Sequence, residues 1–531
     1  MTDPHAVEDQ SAAVALLADP ATHGGAPVER IETHGALIFL AGDRVYKLKR
    51  AVRYPYMDFS TREKRAAACR AEVALNRRTA PGLYLGVAPL WCTPDGGLCL
   101  GSVDEQPDDA APGVADWVVV LRRFDQAGLL DAMAERGALT PEIMDDLAEA
   151  VAALHAEAER HPGADGAALR WVVEENLAEF GEVPALFPPD RVERLRDRSQ
   201  AALDRTGPLL DRRAREGFVR RCHGDLHLHN AVLLDGRPTP FDCIEFNDAL
   251  AVIDVLYDLA FLLMDLDHRG LRPLANRVFN RYLEITADVE GLAALPLFLS
   301  VRAAVRAKVS RSIAETVGEA DPDAAEGLRR EAVAYFDAAL RYLEPPDAAL
   351  VAVGGLSGTG KTTVARALAP DLGPVPGALI VRSDVVRKRM LGVPETERLP
   401  EKAYRRSVTK RVYAELRRRA AAAAAAGHAA IADAVYAGEG ERADIAAAAA
   451  EAGVPFAGVW LEAPIAELFR RVGGRSGDAS DADAAIVARQ RGSRTGPIEW
   501  ARVDAGGDPA ATVAETRRAV SAALPGDRLQ D

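Results

Sequence analysis

Four residues within Cys222–Asn247 have side chains and a spacing that bear on reactivity: His223, Asp225, Asn230 and Asp242. His223 and Asp225 stand in a His-Gly-Asp triplet, and Asn230 comes four intervening residues later. An apolar run, Ala231 to Leu234, leads into Asp235-Gly236-Arg237-Pro238, and a second run ends at Asp242. Asp-Gly between two apolar runs predicts a hairpin. Folding back there brings Asn230 and Asp242 side by side at its open end. Two hard oxygen ligands then face one volume, which suits Mg²⁺ carrying a nucleotide's phosphates. Asp225, on the loop leading in, is placed to take a proton from an incoming hydroxyl. The chemistry this arrangement predicts is phosphoryl transfer.

A metal cluster is the rival reading, because Cys222, His223, His227 and His229 crowd together. Their spacing matches none of the common zinc patterns, and it leaves the hairpin and Asp242 unexplained. Asp-x-x-x-x-Asn followed by an Asp on the next strand is instead the order of a kinase catalytic loop. HGDLHLHN and FDCIEFND, with DVLYDLAFLLMDL (Asp254 to Leu266) after them, resemble the aminoglycoside phosphotransferase family. The resemblance covers about the first 345 residues. It implies a protein-kinase-like fold that phosphorylates small-molecule hydroxyls, with His223 and Asp225 catalytic and Asn230 and Asp242 on the metal. It implies a reaction class, and not an aminoglycoside acceptor. Asp254 and Asp258 are expected to brace the catalytic region.

Such a loop needs a phosphate-holding lobe before it. Residues 1–27 suggest a short lead-in helix, followed by strands at Val28–Glu32, Leu37–Leu40 and Arg44–Arg50. The turn Thr33-His34-Gly35-Ala36 would lie over the phosphates. Val45, Lys47 and Lys49 share one strand face by the period-two rule. Lys47 is the expected phosphate lysine, since Val45 two residues earlier mimics the kinase Val-Ala-x-Lys pattern; a solvated face is the plainer alternative. Ser60 to Arg78 reads as a helix with a Ser60–Glu63 capping box, and Glu72 on it would hold the lysine. Asp116 to Gln126 resembles the hinge strand where adenine binds backbone groups. From Leu129 to about Leu343 the pattern is helical apart from the hairpin, and His155 reads as an ordinary helix residue.

A second motif follows the breaker Glu344-Pro345-Pro346-Asp347. The apolar strand Ala349–Val353 runs into Gly355-Leu356-Ser357-Gly358-Thr359-Gly360-Lys361-Thr362-Thr363 and then a helix, a P-loop in its proper context. Its glycines let backbone N–H groups wrap phosphates, Lys361 reaches the β/γ oxygens and Thr362 binds Mg²⁺. Ala378–Met390 delivers Asp384 at the end of a strand, with Arg387 one helical turn on. Strand C-terminal ends face the ligand crevice in such sheets. Asp384 is therefore expected to orient or deprotonate an acceptor hydroxyl, and Arg387 to hold an anionic group; a helix cap and a surface arginine are the alternative. Lys402–Ala426 reads as a long helix closed by Gly427, and His428–Tyr436 as a strand delivering Asp433 to the same edge. Residues 348–531 resemble small P-loop kinases of the gluconate-kinase and zeta-toxin type. That resemblance implies lid arginines at Arg471 and Arg475. With no Glu after Asp433 and no second domain of sensor arginines, an AAA-type motor is not expected.

At 531 residues with 48% hydrophobic content, the chain has material for two or three cores. A net charge of −14 argues against a nucleic-acid surface and favours cationic or neutral ligands. Five scattered cysteines without a CxxC pair, and no leader or membrane-length apolar run, predict a reduced, cytoplasmic protein without a membrane partner. The expected architecture combines α+β and α/β classes in two domains. Residues 1–345 form a bilobal kinase-like domain, and 348–531 a doubly wound parallel-sheet P-loop domain. The expected cofactors are ATP and Mg²⁺, and the expected partners are small-molecule hydroxyl acceptors, one for each site. The alternatives are a regulatory ATP-binding half that gates the other, and an antibiotic-modifying enzyme.

Overall fold

The computed structural model describes residues 5–524 apart from 55, 106, 110, 164–166, 319, 474–479, 482–483 and 492–494. The chain forms two units, Met1–Ala168 with Asp211–Leu262, and Leu169–Leu210 with Leu263–Asp531.

The first unit is built on a six-stranded antiparallel sheet. Its order is Val28–Glu32, Ala36–Ala41, Arg44–Lys49, Val114–Arg122, Tyr84–Cys92, Leu98–Leu100. Alternation along Arg44–Lys49 sorts its side chains between two layers. Tyr46 and Leu48 pack with Leu17 of the lead-in helix Ser11–Ala18, together with Phe39, Leu90 and Val118. Val45 packs on the other side with Cys69 and Val73 of the helix Arg62–Asn76 and with Trp117 and Val119. Lys47 and Lys49 share that helix-facing side, as expected.

The helix cap is Thr61, whose hydroxyl accepts from Lys64 N at 3.3 Å, where the sequence suggests Ser60. The Ser60 hydroxyl is already committed to Asp58 at 2.6 Å. The strands Tyr84–Cys92 and Leu98–Leu100 carry no clear sequence signal. Gly86 and Pro89 interrupt the first, and the pairing slips at Tyr84/Gly86 and Leu90/Trp91.

The predicted hairpin is present. Ala231–Leu234 pairs with Arg237–Pro240, Leu234 opposite Arg237. Asp235 and Gly236 form the two-residue turn at φ 50° and 79°, the left-handed pair that the twist of a tight hairpin demands.

The second unit holds the helices Arg272–Thr286, Leu295–Val317 and Pro322–Tyr342 and a five-stranded, wholly parallel sheet. The order is Leu379–Arg382, Ala430–Asp433, Leu350–Gly355, Phe456–Glu462, Ala501–Asp504. Leu350–Gly355 is buried along its whole length, as a central parallel strand must be. The edge strand Leu379–Arg382 is covered by the Arg272–Thr286 helix. Ile380 N donates to Asn280 Oδ1 at 2.6 Å, and the Asn276 and Asn280 amides donate to Ala378 O at 3.1 and 3.2 Å. An open row of peptide groups is thereby capped. The long helix after it runs Arg406–Ala425, shorter at its start than Lys402, because Glu401–Tyr404 winds as a separate 3₁₀ turn. No helix among the described residues is long and apolar enough to cross a membrane.

Candidate active sites

The catalytic loop of the first unit hangs from one buried carboxylate. Asp258 accepts from His223 N at 3.0 Å, Gly224 N at 2.8 Å and the His155 ring at 3.0 Å. Gly224, at φ 86°, leaves no room for a side chain, since a Cβ there would stand 3.0 Å from Leu250 O. Asp258 is thus the brace the sequence suggests, and His155 turns out to be part of it. The ligand atoms of His155, Cys222 and Asp258 lie within 4.8 Å of one another, but the bonds just named already engage the carboxylate.

The loop then presents its reactive groups. Asn230 Nδ2 donates to Asp225 Oδ2 at 2.8 Å and to Asp225 O at 3.0 Å, and Phe241 N donates to Asn230 O at 2.9 Å. The hairpin therefore closes with Asn230 beside the Phe241-Asp242 peptide. Asp242 has φ 62°, a left-handed conformation costly for a residue with a Cβ and typical of functional positions. Burial works to raise its pKa, and Lys47 outweighs burial, holding the carboxyl below its ordinary value. Lys47 Nζ bonds Asp242 Oδ1 at 2.6 Å and Glu72 Oε1 at 2.9 Å. Lys49 bonds Glu245 Oε1 at 2.5 Å and also contacts Glu72.

A cavity of about 340 Å³ opens beside these groups. The Thr33–Ala36 turn, Lys47, Lys49, Asp225, Asp242 and Glu245 line it. His223, expected among the catalytic residues, is buried outside that lining, its ring Nε2 on Phe241 O at 2.9 Å. Burial opposes its charge, but Cys243, Asp258 and Asp225 prevail and push it up to about 9. Its geometry is that of a positioning residue. Asn230, Asp242 and Asp225 supply oxygens of the kind that hold Mg²⁺, and Lys47 supplies the nearby cation.

The second site begins where Leu350–Gly355 turns into the helix Lys361–Leu368. Gly355, Gly358 and Gly360 have φ of 140°, 92° and 88°. A Cβ on Gly355 would meet Leu461 O at 2.6 Å, whereas one on Gly360 would meet nothing within 4 Å. The loop is thus tight against the sheet and open at the helix N-terminus, a cradle shaped for phosphate. Thr359 Oγ1 donates to Leu356 O at 2.9 Å and Lys361 Nζ to the same carbonyl at 3.1 Å, bracing the turn. Thr362 Oγ1 donates to Asp433 Oδ2 at 2.6 Å.

Ser357, Gly358, Gly360, Lys361, Thr362 and Thr363 border a cavity of about 400 Å³, facing Asp384, Arg387 and Asp433. Burial raises the Asp384 pKa against the pull of a Ser480 hydrogen bond and Lys361. Arg387 is 5% exposed. It donates to Ala403 O at 2.8 Å and Thr409 Oγ1 at 3.3 Å, and its guanidinium lies 4.7 Å from the Tyr404 ring centre. Among the described residues no carboxylate pairs with it.

Arg471 departs from the lid role. It bonds Glu467 at 2.6 Å and Ala505 O at 2.8 Å, outside the cavity lining. Arg475 and the start of the polar loop at Gly477 lie outside the described residues. Asp433 has no role assigned from sequence, and several further lining residues, Arg366 and Gln490 among them, are not singled out by it. Arg366 could have been found, because it follows Thr362 by one helical turn. Gln490, which accepts from Ser357 N at 2.9 Å across 133 positions, has no local signal.

Residues 41–295 match the model of a phosphotransferase enzyme family, and residues 350–497 match a model described as an AAA domain. An uncharacterized protein of Mycobacterium tuberculosis (strain H37Rv) is 32% identical over 468 residues, spanning 86% of this chain and 88% of its own. The chain belongs to that family. An uncharacterized protein of Mycobacterium bovis matches to the same extent. The chain thus joins a kinase-like phosphotransferase domain to a P-loop kinase-like domain, and it is a kinase. Among solved structures, a choline/ethanolamine kinase family protein from Mesorhizobium loti is similar at 17% identity. It covers 62% of this chain and 97% of its own, with a TM-score of 0.37. A gluconokinase from Sinorhizobium meliloti is similar at 20% identity, covering 33% of this chain and 97% of its own, with a TM-score of 0.24.

Proposed function

We propose that the chain is a bifunctional, ATP-dependent small-molecule kinase with one transfer site in each unit. One observation carries this reading. Each cavity is lined by a lysine, metal-type oxygens and an acceptor-side carboxylate: Lys47, Asp242 and Asp225 in one, with Asn230 bonded to Asp225 but outside the lining; Lys361, Thr362 with Asp433, and Asp384 in the other. Neither donor set has the soft ligands of a structural zinc site, and both fit a nucleoside triphosphate with Mg²⁺. When bound, Mg²⁺ neutralises charge on the transferring phosphoryl group.

The chain's own residues then divide the work. Asp225 takes the proton of the acceptor hydroxyl at the first site, and Asn230, bonded to it, fixes its rotamer. Lys47 neutralises phosphate oxygens, and Glu72 orients Lys47. At the second site the P-loop amides and Lys361 bind phosphates, and Asp384 accepts the acceptor's proton. Arg387, a buried cation with no carboxylate partner among the described residues, suits an acceptor bearing an anionic group. An unchanged acceptor KM in Arg387→Ala would remove that last point. The acceptors are small molecules, neither nucleic acid nor membrane lipid, and the site of action is the cytoplasm.

The test is transfer of labelled phosphate from ATP into a pooled metabolite extract by wild type, Asp225→Asn and Lys361→Ala. Each variant is expected to lose a different labelled product. Loss of one product in both variants would instead make one half a regulatory module. An aminoglycoside panel that stays unlabelled removes the antibiotic-modifying alternative.

A further inference from the structure

The first cavity holds more charge than one phosphate lysine and its glutamate require. Five ionic groups form a line: Asp242, Lys47, Glu72, Lys49 and Glu245. Its two ends differ. The Lys47–Asp242 contact, 2.6 Å long, occupies a carboxylate that the proposed function turns toward metal, so this contact exchanges when nucleotide enters. The Lys49–Glu245 contact has no such alternative. Both side chains are about nine-tenths or more buried, at 3% and 4% exposure, and Glu72 between the lysines is at 0%. Lys49 Nζ is also 5.3 Å from the Phe59 ring centre, so its donors are spent on Glu72, Glu245 and an aromatic face.

We propose that Lys49 and Glu245 are positioning residues, a permanent ion pair that locks Glu72 of the Arg62–Asn76 helix to the Asp242 loop while Lys47 exchanges between Asp242 and phosphate. The inference rests on Lys47 being the phosphate lysine. The physical need follows from burial: Glu72 is fully enclosed, and a carboxylate so enclosed is costly to leave without a cation. A second, fixed lysine removes that cost at every stage of nucleotide exchange. Glu245 lies three residues beyond Asp242, so the same pair sets the height of the metal loop against the helix. The helix is thereby held inward whether or not nucleotide is present, unlike kinases in which the equivalent helix position is a control point.

The experiment uses the full chain carrying Lys361→Ala, so that a fluorescent ATP analogue with MgCl₂ reports on the first site alone. Two quantities are read: its Kd, and amide hydrogen exchange across Arg62–Asn76 without nucleotide. Lys47→Met is expected to weaken binding at least about 10-fold with little change in helix exchange. Lys49→Met and Glu245→Gln are expected to accelerate helix exchange about 10-fold or more, with a smaller loss of binding, and Lys49→Arg to restore both. Lys49→Met that weakens binding as much as Lys47→Met, with exchange unchanged, overturns the proposal by making Lys49 a phosphate ligand. Unchanged exchange in Glu245→Gln also overturns it, and that near-isosteric variant serves if Lys49→Met does not fold. A failure of the underlying reading shows separately, as an unchanged Kd in Lys47→Met.

Discussion

Thr362 Oγ1 and Asp433 Oδ2 lie 2.6 Å apart, joining the first turn of the P-loop helix to the end of the neighbouring parallel strand. Leu350–Gly355 and Ala430–Asp433 pair in register, Val353 opposite Asp433, so the sheet itself sets this distance. Asp433→Ala is expected to lower transfer at the second site about 100-fold, some 2.7 kcal/mol of barrier, and to leave the first product intact. Product-resolved initial rates check it; equal loss of both products would refute it.

Asp258 carries the backbone of the catalytic loop. Asp258→Ala leaves two buried N–H groups, those of His223 and Gly224, without their acceptor. The expected cost is on the order of 3 kcal/mol in stability together with loss of first-site activity. Urea titration measures the first, and a midpoint unchanged from wild type would contradict the bracing role.

Asn280 seals the sheet edge. Asn280→Ala strands Ile380 N–H, whose partner stands at 2.6 Å, at an expected cost of about 1–3 kcal/mol. The measurement is denaturant unfolding monitored alongside hydrogen exchange at Leu379–Arg382.

His428 makes the second unit sensitive to acid. Burial lowers its pKa from the ordinary 6.5 to about 4, even though Nε2 donates to Gly377 O at 2.8 Å. The unfolded chain therefore takes up a proton near pH 6.5 that the folded chain refuses until about pH 4. Stability from this residue is present above pH 6.5 and is lost as pH falls through that window, by about 3 kcal/mol in all. His428→Gln is expected to flatten this part of the stability–pH curve, as measured by thermal melts between pH 4 and 7.

Much of the site was legible because its signals are local. Asp235-Gly236 favours left-handed backbone whatever surrounds it, so the hairpin and the meeting of Asn230 with Asp242 follow from spacing. Glycines at 355, 358 and 360 and the apolar strand before them mark the P-loop in the same way, and period-two alternation put Lys47 and Lys49 on one face. The kinase pattern likewise pairs Glu72 with Lys47, 25 positions apart, and the structure makes that contact. Tertiary structure alone decided the other partners: Asp242 lies 195 positions from Lys47, and Glu245 lies 196 from Lys49. A cation's partner is whichever carboxylate packing leaves within a few ångströms, a choice that residue types and spacing do not encode. The same reason explains why Arg471 faces Ala505, why His223 lies beneath its loop, and why a helix far earlier in the chain supplies the amides that close the edge of the P-loop sheet.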